Sequence, residues 1–117
     1  MRDEVEAIRG AVRAACADAA VELVLLTGGT GLAPRDVTPE ALSGLLEREI
    51  PGFGELFRLL SFQEIGSAAI LSRAVGGVVE EKVVLALPGS PKALRLAMER
   101  IVLPEAGHLI TQARGGA

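Results

Sequence analysis

The sequence contains no tryptophan and no tyrosine, and three phenylalanines are its only aromatic side chains. Proteins that hold single-stranded nucleic acid stack bases on aromatic rings along a basic groove. With few rings and a formal net charge of -3, the chain is not a nucleic-acid-binding module, nor one drawn to acidic membranes. A single cysteine, Cys16, leaves no internal disulfide and suits a reducing compartment. The one histidine, His108, has no second His or Cys beside it at metal-ligand spacing. No apolar run is long enough to span a bilayer, and the opening Met1-Arg2-Asp3-Glu4 is not a secretory signal. These absences predict a cytoplasmic protein with neither a membrane nor a nucleic acid as partner.

What is present is half hydrophobic, with 14 glycines. A chain of 117 residues is long enough for one domain, 1–117, and that domain can bury a core of Leu, Val, Ile and Ala unaided. Leu23-Val24-Leu25-Leu26-Thr27 reads as a strand covered on both faces, the usual state in a parallel sheet. It runs into Gly28-Gly29-Thr30-Gly31, whose N–H groups would form a nest for a phosphate or pyrophosphate group. The glycines alone carry little weight. They lack the Lys and Ser or Thr of the phosphate loop and the spacing of the dinucleotide fingerprint, and a tight turn explains them equally.

Asp3 and Glu6 have the spacing of a capping box, and Val5, Ile8, Val12 and Ala15 recur at helical spacing. A helix is predicted over residues 4–20, with Cys16 on its packed side. The first strand is placed at 22–27, and Thr38-Pro39 is read as an N-cap followed by proline at the first helical position. Leu42, Leu45, Leu46 and Ile50 continue that helix until Pro51-Gly52 stops it. A second short helix carries Phe53, Leu56, Phe57 and Leu60, and Ser61 with Glu64 forms another capping box. Residues 68–72 stay ambiguous between a short helix and a buried loop. Strands at 74–79 and 82–87 flank Glu80-Glu81 and predict a hairpin at the edge of an otherwise parallel sheet. Leu87-Pro88-Gly89-Ser90-Pro91 then repeats the earlier logic of strand, glycine turn and proline-started helix, so both turns could face one cleft. Leu94, Ala97, Met98 and Ile101 form that helix's core face, Pro104 ends it, and residues 112–117 fray.

Four motifs in order carry a resemblance. Leu26-Thr27-Gly28-Gly29-Thr30-Gly31-Leu32-Ala33-Pro34-Arg35-Asp36-Val37-Thr38-Pro39-Glu40-Ala41 is followed by Pro51-Gly52-Phe53-Gly54-Glu55-Leu56-Phe57-Arg58. Next come Leu71-Ser72-Arg73-Ala74-Val75-Gly76-Gly77 and Leu87-Pro88-Gly89-Ser90-Pro91-Lys92-Ala93. Together they resemble the MoaB/Mog family of molybdenum cofactor biosynthesis proteins, whose enzymes are molybdopterin adenylyltransferases. Ser61-Phe62-Gln63-Glu64-Ile65-Gly66 resembles the B-type branch.

The resemblance implies a three-layer α/β/α sandwich with a mostly parallel sheet, assembled as a homotrimer or homohexamer. It implies transfer of AMP from Mg-ATP to molybdopterin with release of pyrophosphate, and contact with the enzyme that inserts molybdate. By the same resemblance Asp3 and Asp36 are catalytic and hold Mg2+, although Arg2 stands where the family has a proline before Asp3. Gly28, Gly29, Thr30 and Gly31 would hold phosphate, while Ser72, Pro88, Gly89 and Ser90 would line the pterin and phosphate end.

Each residue also has a structural explanation. Asp3 can cap a helix, Asp36 can bond to its own turn, and Ser72 and Ser90 can cap or turn. Arg35 can meet a phosphate or face solvent, and Arg73 is read as a structural ion pair or subunit contact. The family carries a further strand and loop before the position of Met1, so the chain is expected to lack an inner strand and to be poorly active alone. The alternative function is a non-catalytic molybdopterin-binding or assembly protein.

Overall fold

A computed structural model of the chain describes residues 2–116. Helix α1 (Arg2–Ala17) opens it, earlier and shorter than predicted. Asp3 therefore lies inside the first turn, where a carboxylate favours the helix dipole, and not at the predicted cap. The position before the helix lies outside the described residues. The helix ends early because Asp18 Oδ1 accepts the Ala20 N–H at 2.9 Å, folding residues 18–21 into a turn.

Strand β1 (Leu23–Thr27) leads through the glycine loop to α2 (Thr38–Leu42), a helix of one turn. The predicted continuation to Ile50 is absent. Gly44 takes the left-handed φ of 81°, and residues 47–50 turn to pair with the sheet as β2 (Arg48–Glu49). Cross-strand bonds from Glu47 N–H to Val78 O and from Ile50 N–H to Gly76 O, both 2.8 Å, override the helical spacing. Pro51 then opens α3 (Pro51–Ile65) rather than closing a helix. Ser61 is buried in the middle of α3, so its predicted capping box does not form. The ambiguous stretch is a 3-10 turn, Gly66–Leu71.

Strands β3 (Val75–Val79) and β4 (Lys82–Leu87) form the predicted hairpin. The sheet order is β1-β4-β3-β2, so the hairpin is central and not at the edge. Only β1 and β4 run parallel, and the other two pairs are antiparallel. The predicted mostly parallel sheet is thus a mixed one, since a two-residue link can join only antiparallel strands. It is β1 that lies at an edge among the described residues, with Leu25 38% exposed instead of covered on both faces.

Helices cover both faces, giving the three-layer α/β/α sandwich. Residues 83–87 of β4 are completely buried and alternate between the layers. Val83, Leu85 and Leu87 meet Phe53, Phe57 and Leu60 of α3 and the carboxyl-terminal helices. Val84 and Ala86 meet Val12 and Cys16 of α1 and Leu42 of α2. Cys16 packs in the core as expected, and burial raises its thiol pKa above the ordinary value.

Beyond β4, Ser90 caps α4 (Pro91–Ala97), its Oγ accepting the Ala93 N–H at 3.3 Å. Pro104 does not end this helix. A π turn, Met98–Val102, wraps wider before α5 (Leu103–Ala113), with the Leu103 N–H reaching back to Met98 O. Proline at the second position of α5 has no N–H to satisfy, and the π turn absorbs the missing bond. Ala113 is buried, so the helix extends past the predicted fraying point. Among the described residues no helix is long and apolar enough to cross a membrane.

Candidate functional site

Because β1 and β4 are parallel neighbours, with Thr27 opposite Leu87, both strands leave the sheet at the same edge. Such an edge holds the ligand in open α/β folds. The Gly28 N–H donates to Leu87 O at 2.8 Å, extending the ladder one residue into the loops. The two glycine turns then diverge around a cleft of about 370 Å³. Its walls are Gly28, Gly29, Thr30, Gly31 and Asp36 on one side and Leu71, Ser72, Pro88, Gly89 and Ser90 on the other. Nine of the ten cleft residues were among the predicted site residues; Leu71 is the addition.

The loop's conformation is built by side chains that follow it. Gly29 has φ of 70°, and a Cβ there would collide with Thr38 Oγ1. Thr38 was read as the helix cap, yet Val37 holds that position and makes no side-chain cap. The Thr38 hydroxyl donates instead to Gly28 O at 3.0 Å, and its N–H donates to Gly29 O at 3.0 Å. Capping statistics identify Thr as a hydrogen-bonding residue at that place but cannot select its partner.

With the carbonyls so occupied, the N–H groups of Gly29, Thr30, Gly31 and Leu32 donate to no backbone acceptor among the described residues. Gly29, Thr30 and Gly31 line the cleft, and successive unbonded donors in such a turn suit an anion. Asp36 packs against Gly31, where an added Cβ would stand 2.7 Å from its Oδ2. Its N–H bonds to Ala33 O at 2.8 Å, and its Oδ2 accepts the Ala33 N–H at 3.0 Å. The turn explanation for Asp36 therefore holds, and it leaves Oδ1 for a ligand. Ser90 Oγ and Ser72 Oγ each accept a backbone N–H, from Ala93 and Ala74 respectively, both at 3.3 Å. An accepting hydroxyl still has its own hydrogen to donate into the cleft.

The structure does not bring Asp3 into this group. Asp3 is exposed in the first turn of α1, and the cleft wall has one carboxylate, Asp36. Among the described residues no three metal-ligating side chains gather. Mg2+ is commonly held by one or two carboxylates together with substrate phosphates and water. A single carboxylate beside a phosphate nest suits that manner of binding and not a protein-built cage. Arg35 is exposed. His108 is exposed on α5 and pairs with Glu105 at 2.9 Å.

Among the arginine contacts that the sequence does not reveal are those of Arg9 and Arg73. Arg9 of α1 donates to the carbonyls of Ala41 at 2.8 Å and Ser43 at 3.0 Å, tying α1 to the end of α2. Arg73 forms the ion pair expected of it, with Glu40, and also reaches into the glycine loop. One signal was available for Arg73. No carboxylate lies within four residues of it, so its charge had to find a distant partner.

A family model described as "Probable molybdopterin binding domain" matches residues 1–108. The chain is 49% identical over 115 residues to Molybdenum cofactor biosynthesis protein B of Bacillus subtilis, covering 97% of this chain and 68% of that one. It is 53% identical over 110 residues to the protein of the same name from Bacillus cereus, covering 93% and 65%. A crystal structure of Molybdenum cofactor biosynthesis protein B superimposes with a TM-score of 0.89 at 53% identity, over 93% of this chain and 68% of that one. MoaB from Thermus thermophilus superimposes at 0.84 with 44% identity, over 97% and 70%. The chain thus spans about two thirds of the length of these relatives.

Proposed function

Because the chain belongs to the molybdopterin-binding domain family, we propose that it serves molybdenum cofactor biosynthesis by transferring AMP from Mg-ATP to molybdopterin. The observation that carries this reading is the run of unbonded N–H groups at residues 29–31 beside Asp36, in a cleft shared by two glycine turns.

In this reaction a phosphate oxygen of molybdopterin attacks the α-phosphorus of ATP. The bond from that phosphorus to the bridging oxygen breaks, and pyrophosphate leaves with the electron pair. No proton need move, and no covalent bond to the protein forms. The chain supplies position and complementary charge. Residues 29–31 point N–H dipoles at phosphate oxygens, and the Ser72 and Ser90 hydroxyls donate across the cleft from them. When bound, Mg2+ neutralises the phosphates' mutual repulsion, and Asp36 would hold it through Oδ1. The family resemblance would make Asp3 a second ligand, but in this chain Asp3 stands outside the cleft.

The place of Asp3 favours a second reading. With one carboxylate in the cleft, the chain would bind molybdopterin and hand it on without transferring AMP. Release of pyrophosphate from Mg-ATP in the presence of molybdopterin separates the two. The transferase reading expects release by the parent and a fall of about 100-fold or more in Asp36→Asn. Asn keeps an acceptor for the Ala33 N–H, so the loop should survive the change. A parent that binds molybdopterin and releases nothing favours the binding protein.

Assembly into homotrimers or homohexamers belongs to the same proposal. It is supported by the exposed Leu59, Phe62 and Ile65 of α3 and Ile70 in the next turn. A cytoplasmic setting accords with a free, buried Cys16.

A further inference from the structure

We propose that Arg73 is a positioning residue that holds the glycine loop in its phosphate-receiving shape. The inference rests on the reading of that loop as a phosphate site. Residues 28–37 contain no helix and no strand, so the loop's conformation depends on what ties its carbonyls down. Arg73 ties three of them from outside. Its N–H donates to Thr30 O at 2.8 Å, its Nε to Gly31 O at 2.8 Å and its Nη2 to Asp36 O at 2.6 Å.

The direction of these bonds matters more than their number. In a trans peptide the C=O and the following N–H point to opposite sides. With the carbonyls of Thr30 and Gly31 turned onto Arg73, the N–H groups of Gly31 and Leu32 face away from it. Of these, Gly31 lines the cleft; the Thr30 carbonyl behind its N–H is held by the main chain of Arg73, and the Gly31 carbonyl by the guanidinium. The bond to Asp36 O fixes the backbone of the one carboxylate in the cleft. Glu40 completes the arrangement, since its carboxylate accepts from both terminal nitrogens of Arg73 and holds the planar fork in place. Arg73 is thus bound to both ends of the loop and to α2, while a full charge on the guanidinium stays neutralised away from the ligand.

A lysine cannot do this, because one ammonium group lacks the fork that reaches carbonyls and carboxylate together. The test compares the parent with Arg73→Met, Arg73→Lys and Val102→Ala, the last a core change on the far face of the sheet that lowers stability without touching the loop. Two quantities are measured: hydrogen exchange of the loop's hydrogen-bonded amides, Ala33, Asp36 and Thr38, and the affinity for inorganic pyrophosphate. We expect both Arg73 variants to exchange at least about tenfold faster across the loop than Val102→Ala, and to bind pyrophosphate about tenfold or more weakly. Loop exchange no faster than in Val102→Ala overturns the proposal. So does a loosened loop with pyrophosphate affinity unchanged, or full rescue by Lys. If the parent binds no pyrophosphate at all, the phosphate reading of the loop fails. The exchange comparison then still reports whether Arg73 holds the loop.

Discussion

Gly28 and Gly89, in the turns that follow β1 and β4, lie so close that a Cβ built on Gly89 would stand 3.3 Å from the Gly28 Cα. The contact brings the two glycine turns to one mouth. A methyl group there requires a shift of a few tenths of an ångström, whereas a branched side chain must push the turns apart. Gly89→Val is therefore expected to keep the fold and lose about tenfold in pyrophosphate affinity, with Gly89→Ala nearer the parent. Titration calorimetry on both variants checks it, and equal affinity in all three proteins would show that the contact is incidental.

The Arg73–Glu40 pair makes the loop sensitive to acid. Its hydrogen bond to Arg73 holds the Glu40 carboxyl below the ordinary 4.5. A depressed carboxylate contributes stability above its unfolded pKa and loses it as pH falls through the folded one. The loop is thus expected to hold at neutral pH and to loosen below 4.5. Glu40→Gln should exchange faster than the parent at neutral pH, and the difference should vanish in acid. Half exposure of Glu40 keeps the effect small and salt-sensitive.

The hairpin turn is built from the wrong residues. Glu80 and Glu81 both take left-handed φ, 49° and 67°, where Asn-Gly is the favoured pair. Each glutamate there costs about 1 kcal/mol. Replacing the two by Asn-Gly should raise stability by roughly 1–2 kcal/mol. Urea denaturation measures it. The Glu80 main-chain N–H donates to the Glu47 side chain at Oε2, 3.2 Å, and an asparagine at position 80 keeps that donor.

Phe62 is 56% exposed on α3. If that face joins copies of the chain, Phe62→Glu should convert an oligomer to a smaller species in light scattering at micromolar concentration. A monomeric parent would remove the assembly proposal.

The contrast between α2 and β4 explains how much of the fold was legible. Lys82–Leu87 has the bounds its sequence predicts, because a run of that length between a turn and a proline is too short for an ordinary helix and rich in valine. Residues 42–50 have helical spacing too, but Gly44 and the backbone bonds to β3 drew them into the sheet. Spacing records which side chains are apolar and says nothing about which backbone partner is free. The same limit hid the hairpin's central place, since a strand's neighbours are chosen by the whole sheet.

The cleft divides along the same line. By itself the sequence determined the two glycine turns, the carboxylate of Asp36, the cap at Ser90 and the buried Cys16, because each follows from local backbone chemistry. Only the tertiary structure decided that Thr38 bonds back to Gly28, that Asp3 stands outside the cleft, and that Arg73 holds the glycine loop. Those relationships join residues 10 to 42 positions apart, and a hydrogen bond over such a span exists only after the sheet has brought its partners together.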